Sequence, residues 1–548
     1  MAIASSNPAA SGKWYRVLRC ALLLVAAAFL CLHLLHLTAD FPNYSPWMDW
    51  AKYTDEGWYG DAAIRHYLLG HWYVRGGFNP AAALPVWPVL ELAVFHFAGV
   101  SLAAARALTV GVFGLILVSS FFLLRRWQDA PRSLVPATAV LLLAVSPFCY
   151  VFTRMAILEP LLILLTLLAL LVVSAAPTSF TNESRIIRSL PVVGLGILLP
   201  LMILTKTTAI FLFPAVAWLL WAAVGYRIRP FLRVGLPSIA IAGGLWVSYF
   251  VFFVRPHFLA DYRYLFSANG YTGITAATAF SVLRDTLKDG LWMGKVLYPV
   301  ALIAVVVAVA LLRRRTNPLL VALALWTGGY AAFLAYHNNL QPRYYLVLAV
   351  PLTLLLPLAF EELAVKVLLP RYGASPSLRI FMTLAAGVVF AAVALPDARQ
   401  TIHYVRKPEY TFERAAAQVR GIVVANPTQS KLILSISGAD LSLMTGLPSI
   451  CDDFGTMELA QRVATYRPGW YAAWNQVEDD KMEALAPLYK LSRVAEFPAM
   501  DDPERNLLIL YRLDPADAPP PARGKRKPIP RRLQTKIGQQ PSVQQLEH

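Results

Sequence analysis

Leu84 to Gly99 reads LPVWPVLELAVFHFAG, and whether this stretch crosses a membrane or lies along it sets the topology of the whole chain. It is apolar, but about 16 residues is short for a hydrocarbon core of about 30 Å. It also carries Pro85, Pro88, Glu91 and His96, which are poor company for lipid. The chain around it is built for a membrane. It is 57% hydrophobic and 15% charged over 548 residues, where a soluble protein would carry about a quarter charged residues. Mean hydropathy is +0.53, well on the apolar side. The apolar blocks predict about eleven spans, near 17–38, 103–124, 134–152, 158–176, 190–205, 208–225, 232–254, 296–312, 318–336, 343–360 and 379–396.

If Leu84–Gly99 lies flat, the alternation of spans collects the basic clusters on one side. These are Lys13/Arg16/Arg19, Arg125/Arg126/Arg132, Arg185/Arg188, Arg227/Arg229/Arg233, Arg313/Arg314/Arg315 and Lys366/Arg371/Arg379. If it crosses, every cluster after the first changes side. The positive-inside rule selects the flat reading and makes the basic side cytoplasmic. The +17 net charge therefore belongs to membrane orientation rather than to nucleic acid, since the basic residues sit between spans and form no stripe. Leu22 to Leu37 lacks a small-residue cleavage site and reads as an uncleaved first span. Cys20, Cys31, Cys149 and Cys451 are scattered, with neither a disulfide framework nor metal-ligand spacing.

The expected fold is thus a polytopic α-helical membrane protein with a small C-terminal α/β extracytoplasmic domain. Residues 1–396 form the transmembrane module, with outer loops at 39–102 (holding interfacial helices) and 255–295. Residues 397–515 form the α/β domain, with helix-like stretches at Thr411–Val424, Met457–Tyr466 and Asp480–Tyr489 and strand-like ones at Lys431–Ser437 and Leu507–Leu513. Residues 516–548 are a basic tail, read as disordered and near anionic lipid. No internal repeat is present.

Charged residues at outer span ends run against the charge rule and mark the candidate site. YTDEGWYGDAAIRHYLLG contains Asp55, Glu56 and Asp61 on a helical stretch, among aromatic residues of interfacial type such as Trp58, Tyr59 and Tyr67. In FTRMAILEPLL, Arg154 and Glu159 sit where one span ends and the next begins. Glu159 beside Pro160 also suits a helix N-terminus, which is its ordinary structural role. Lys206 in LTKTTAIF and Arg343 in HNNLQPRYYLVLAVP fall on the same outer side by parity. Cations and carboxylates gathered at one interface suit an anionic lipid head group and a proton-abstracting acid. A sugar attached through phosphate fits this chemistry. The phosphate leaves without protonation when Arg and Lys stabilise its charge, and one carboxylate suffices to activate an acceptor hydroxyl. Asp55 is the expected general base, with Glu56 and Glu159 in support. Lys206, Arg343 and Arg154 are expected at the donor phosphate, and Tyr59, Asp61 and Arg65 at the substrate. This chemistry requires no cofactor; a divalent metal is compatible with it, but nothing in the sequence indicates one.

From about Leu30 to Pro351 the chain resembles the GT-C glycosyltransferases, in the branch of the protein O-mannosyltransferases and bacterial aminoarabinose transferases. Asp55-Glu56 with its following helix is similar to the family's first-loop acidic motif, whose Asp is taken as the catalytic base. PVWPVLELAVFHFAGVSLAAARALTVGVFGL resembles its Pro-led interfacial helix and following "FG-S---AR". Arg154 to Pro160 looks like its "R-A-LD" motif, with Glu159 in place of the usual Asp. Leu204-Thr205-Lys206 matches "TK", and Pro342-Arg343-Tyr344-Tyr345 resembles "RY-L---P" near the phosphate, which adds Tyr345 to the donor side. The Lys expected before the interfacial helix is missing from GGFNPAAALP. The resemblance implies transfer, with inversion, from a polyprenyl-phosphate sugar to a hydroxyl of a protein, lipid or polysaccharide. The implied place is the inner (plasma) membrane of a bacterium, with the site and C-terminal domain on the outer face. The rival readings are a transporter or flippase of a lipid-linked sugar and a non-catalytic, glycan-binding membrane subunit. Transporters commonly show inverted repeats and sites reached from both sides.

Overall fold

The computed structural model describes residues 8–516, apart from 44, 129–132, 177–184, 269–273, 312–316, 338–339, 374 and 504. Arg132, Arg313, Arg314, Arg315 and the basic tail lie outside the described residues, as do the side chains of Lys13, Arg185 and Arg188. The helices run α1 (Pro8–His33), α2 (Asp55–Leu69), α3 (Val86–Ala98), α4 (Leu102–Arg126), α5 (Val135–Val145), α6 (Pro147–Phe152), α7 (Leu158–Ser174), α8 (Arg185–Thr205), α9 (Phe213–Ala223) and α10 (Ile228–Tyr249). There follow α11 (Arg255–His257), α12 (Leu259–Ala268), α13 (Ala279–Asp289), α14 (Leu297–Leu311), α15 (Pro318–Tyr336), α16 (Leu346–Leu363), α17 (Leu369–Tyr372) and α18 (Pro376–Arg406). Among the described residues, 6 helical stretches are long and apolar enough to cross a membrane, and shorter apolar helices fill the remaining span positions. The protein is an integral membrane protein.

The deciding stretch is α3. Its 13 residues reach only about 20 Å at 1.5 Å per residue, short of the bilayer core. Gly99, at φ 74°, ends it, a conformation that costs glycine little. α3 lies against α2: a Cβ on Gly60 of α2 would overlap the Glu91 carboxylate, and the Tyr67 hydroxyl donates to the Leu92 carbonyl at 3.1 Å. α4 then starts on that same end, with the Ser101 side chain accepting from the Ala104 amide, and closes on Arg125 and Arg126, cations suited to a helix C-terminus.

The two ends of the bundle differ. At one, Arg126 donates to the Ser174 carbonyl at 3.2 Å, Gln128 to Glu361 at 2.8 Å and Trp218 to the Pro318 carbonyl at 3.1 Å. At the other, Trp47 donates to the Trp292 carbonyl at 3.0 Å and the Arg343 amide to Asp49 at 2.9 Å. The expected 134–152 span is broken, because Ser146 ends α5 and its side chain caps α6 ahead of Pro147. The expected 379–396 span is the middle of the longer α18, which runs on to Arg406 and delivers the chain to the C-terminal domain.

That domain holds α19 (Thr411–Ala425), α20 (Gly438–Thr445), α21 (Leu459–Tyr466) and α22 (Asp479–Leu485). Its strands are β1 (Ile433–Leu434), β2 (Ser449–Ile450), β3 (Trp470–Trp474), β4 (Tyr489–Asp502) and β5 (Arg505–Pro515), in the order β2-β1-β3-β5-β4. β1 pairs parallel with β2 and β3, while β5 runs antiparallel to β3 and β4. Successive residues of β3 enter opposite layers, as the pleat requires. Trp470 and Trp474 pack with Phe412 and Val419, while Tyr471 and Ala473 pack with Leu434 and Val463. Each layer also takes a residue from the long connection between α1 and α3: Tyr53 in one and Val74 in the other. The domain is therefore seated on the loop that carries Asp55.

Candidate active site

A cavity of about 200 Å³ opens between that loop, the ends of the bundle helices and the C-terminal domain. Asp55, Tyr59, Lys206 and Arg343 line it, together with Trp50, Trp58, His337 and Tyr344. Four expected site residues, from three distant parts of the sequence, thus meet in one place.

Arg343 is the hub. It stands in a single turn ahead of α16, 4% exposed. Its guanidinium pairs with the Asp49 carboxylate and, at 2.7 Å, with Asp55 Oδ2. Its face lies over the Tyr344 ring, 4.8 Å from the centroid. Lys206 approaches that ring to 4.2 Å and pairs with Glu159 behind it. A guanidinium and an ammonium converging on one aromatic ring suit a tetrahedral phosphate whose negative charge grows as its ester bond breaks. Asp55 opens α2, and the Thr54 hydroxyl lies 2.8 Å from its Oδ1 and 2.9 Å from the Trp50 carbonyl, so its one proton serves either. Burial pushes the Asp55 carboxyl above its usual range, Arg343 pulls it back and Asp49 pushes it further up. A carboxylate destabilised in this way is a stronger base than a solvated one.

Other expected residues stand elsewhere. Glu56 turns away from the cavity into a forked bond with Arg106 (2.8 Å from Nε to Oε2, 2.5 Å from Nη2 to Oε1) and accepts the Ala156 amide at 3.0 Å. Every carboxylate oxygen is used, so Glu56 ties α2 to α4 and to the turn between α6 and α7. Glu159 is fully buried and acts on Lys206, not on the cavity. Arg154 ties down the turn that follows α1, donating to the Leu35 carbonyl at 2.8 Å and resting 4.6 Å over the Tyr150 ring. Tyr345 packs on Trp292 with its hydroxyl 3.4 Å from the Thr286 carbonyl, and its neighbour Tyr344 takes the cavity position. Asp61 and Arg65 pair with each other at 2.6 Å, and Arg65 docks on the Ser449 carbonyl at 2.9 Å.

Sequence reasoning gave no site role to Asp49, Arg106, Tyr344 or His337, although the last three stand in stretches it quoted. Arg106 carried a signal, an arginine inside an apolar span, which demands a buried partner. Asp49 lies between Trp47 and Trp50 in the loop ahead of α2, and only its distance to Arg343 gives it meaning.

No family profile matches this sequence, and no curated protein sequence is similar to it. Solved structures do match. ArnT from Cupriavidus metallidurans bound to undecaprenyl phosphate superposes with a TM-score of 0.59 at 14% identity, over 89% of this chain and 97% of that one. The archaeal oligosaccharyltransferase AglB from Archaeoglobus fulgidus, in complex with an inhibitory peptide and a dolichol-phosphate, gives 0.51 at 13% identity, over 89% of this chain and 74% of that one. ArnT in the apo state gives 0.51 at 14% identity. The chain has the GT-C fold. In this chain the bundle end that carries Asp55, Lys206 and Arg343 is the one that seats the C-terminal domain.

Proposed function

We propose that the protein is an inverting glycosyltransferase that moves a sugar from a polyprenyl-phosphate donor to a hydroxyl acceptor at the outer face of the membrane. The observation that carries this reading is the meeting of one basic carboxylate, Asp55, with two cations, Arg343 and Lys206, on a single buried cavity. Asp55 takes the proton of the acceptor hydroxyl as its oxygen attacks the anomeric carbon. The bond from that carbon to the phosphate oxygen breaks, and the charge that develops on the phosphate is met by Lys206 and Arg343. One displacement inverts the anomeric centre, and no acid is needed for a phosphate leaving group. Tyr59 and Tyr344 wall the reaction from water, and Glu159 holds the Lys206 ammonium in place. ArnT bound to undecaprenyl phosphate and AglB with dolichol-phosphate both favour a polyprenyl-phosphate donor. The outer placement rests on the basic clusters at the opposite bundle end, Arg125/Arg126 and Arg227/Arg229/Arg233 among them. In this reading residues 1–396 are the catalytic module and residues 397–515 the outer domain.

Membranes containing the protein, given radiolabelled polyprenyl-phosphate sugars and protein, lipid or polysaccharide acceptors, are expected to transfer label to one acceptor class. Movement of the labelled donor across sealed vesicles without any transfer would instead establish a transporter.

A further inference from the structure

The first amides of a helix find no partner within it, and a Ser, Thr, Asp or Asn just before the helix ordinarily supplies one. α2 follows Thr54, a residue of the right kind, yet Thr54 makes no capping bond; its hydroxyl faces Asp55 and the Trp50 carbonyl instead. The acceptor comes from the C-terminal domain. Asp440 Oδ1 lies 3.2 Å from the amide nitrogen of Gly57, 383 positions away in sequence. Gly57 is the third residue of α2, the position a capping side chain normally serves.

Two further observations make this a built contact. A Cβ on Gly57 would overlap the Ala439 carbonyl and the Asp440 amide, so α2 and α20 meet backbone to backbone. Farther along α2, Arg65 donates to the Ser449 carbonyl at 2.9 Å, a second tie to the same domain. Asp440 itself is 5% exposed, in the first turn of α20.

We propose that Asp440 is a positioning residue for sugar transfer, capping from the C-terminal domain the helix that carries Asp55 and so fixing the base against the cavity. The proposal rests on the reading of Asp55 as general base. It gives the C-terminal domain a part in catalysis through the helix it holds. Burial and the neighbouring Glu56 carboxylate raise the Asp440 carboxyl well above its usual range. The contact asks only for an oxygen acceptor at Oδ1, and Asn offers one in the same place.

The test uses the full-length protein in detergent. Asp440→Ala is expected to lower kcat about tenfold with donor KM within about twofold, the pattern of a misplaced group in an intact binding site. It is also expected to speed hydrogen exchange in the first turn of α2. Asp440→Asn is expected to restore both. If the Ala variant fails to accumulate, Asp440→Ser, polar but too short to reach the amide, is expected to show the same loss. Parental kcat in the Ala or Ser variant, or a loss in Asn as large as theirs, overturns the positioning role. Unchanged exchange overturns the cap. Asp55→Asn in parallel separates the two readings: retained turnover there removes the base assignment, while the exchange data still decide the cap.

Discussion

Asp55 and Glu56 are neighbours on one helix, both buried and both paired with an arginine, yet they stand in opposite situations. Glu56 spends each oxygen on Arg106 of α4 and on the Ala156 amide in the turn ahead of α7. Asp55 shares Arg343 with Asp49 and faces the cavity. The first arrangement is a rivet between α2 and the bundle. The second leaves a carboxylate with competing claims on its partner, and a carboxylate in that position can exchange an ion pair for a proton. The difference teaches that burial of an acid beside a cation says little about chemistry until one asks what else the pair can reach.

Three measurements break or sharpen this contrast. The largest effect belongs to Asp55→Asn, which keeps size and polarity but cannot take a proton. Turnover should fall by about 10²–10⁴-fold, the usual worth of a general base, with donor binding retained. Most of the turnover surviving would end the contrast. The parent's pH profile belongs to the same test. Asp55 acts only when ionised and burial raises its pKa, so kcat/KM should fall as pH drops, along an acid limb above the value near 4 of an unperturbed carboxyl. In Asp55→Asn that limb should vanish from the residual rate.

Next comes Arg343→Lys. An ammonium cannot fork between Asp49 and Asp55 while lying over the Tyr344 ring, so kcat/KM for a polyprenyl-phosphate donor should drop about 10–100-fold. A donor affinity and rate equal to the parent's would remove Arg343 from the phosphate site. The smallest effect on chemistry belongs to the other side of the helix. Arg106→Leu strands a buried Glu56 carboxylate, which costs about 3–5 kcal/mol of stability. It should lower the thermal midpoint in detergent while leaving kcat per folded molecule within about fivefold. Full stability with lost turnover would reverse the roles given to the two carboxylates.

Legibility followed the same division. The membrane class and the mostly helical build could be read from hydropathy, and the shortness of α3 from the prolines and polar residues that punctuate its stretch. Asp55, Lys206 and Arg343 stood out because each is a charge at a span end, where solvation is poor and a partner is needed. The same logic that found them also singled out Arg154, whose charge is satisfied by the Leu35 carbonyl and the Tyr150 ring. In the C-terminal domain the helix Thr411–Ala425 was plain from its period, whereas β3 and the long β4 escaped. β3 is buried on both faces, so it shows none of the alternation that marks a half-exposed strand.

What the sequence determined by itself is local or periodic: a run of apolar residues must leave water, and a charge in such a run must find a partner. What only the tertiary structure decided is which partner. Arg343 could have met Glu56, Arg106 could have met Asp55, and the N-terminus of α2 could have been capped by Thr54. The register of α2 against α4, α16 and α20 made each choice, because hydrogen bonds and ion pairs act over about 3 Å and the residues that satisfy them lie hundreds of positions apart.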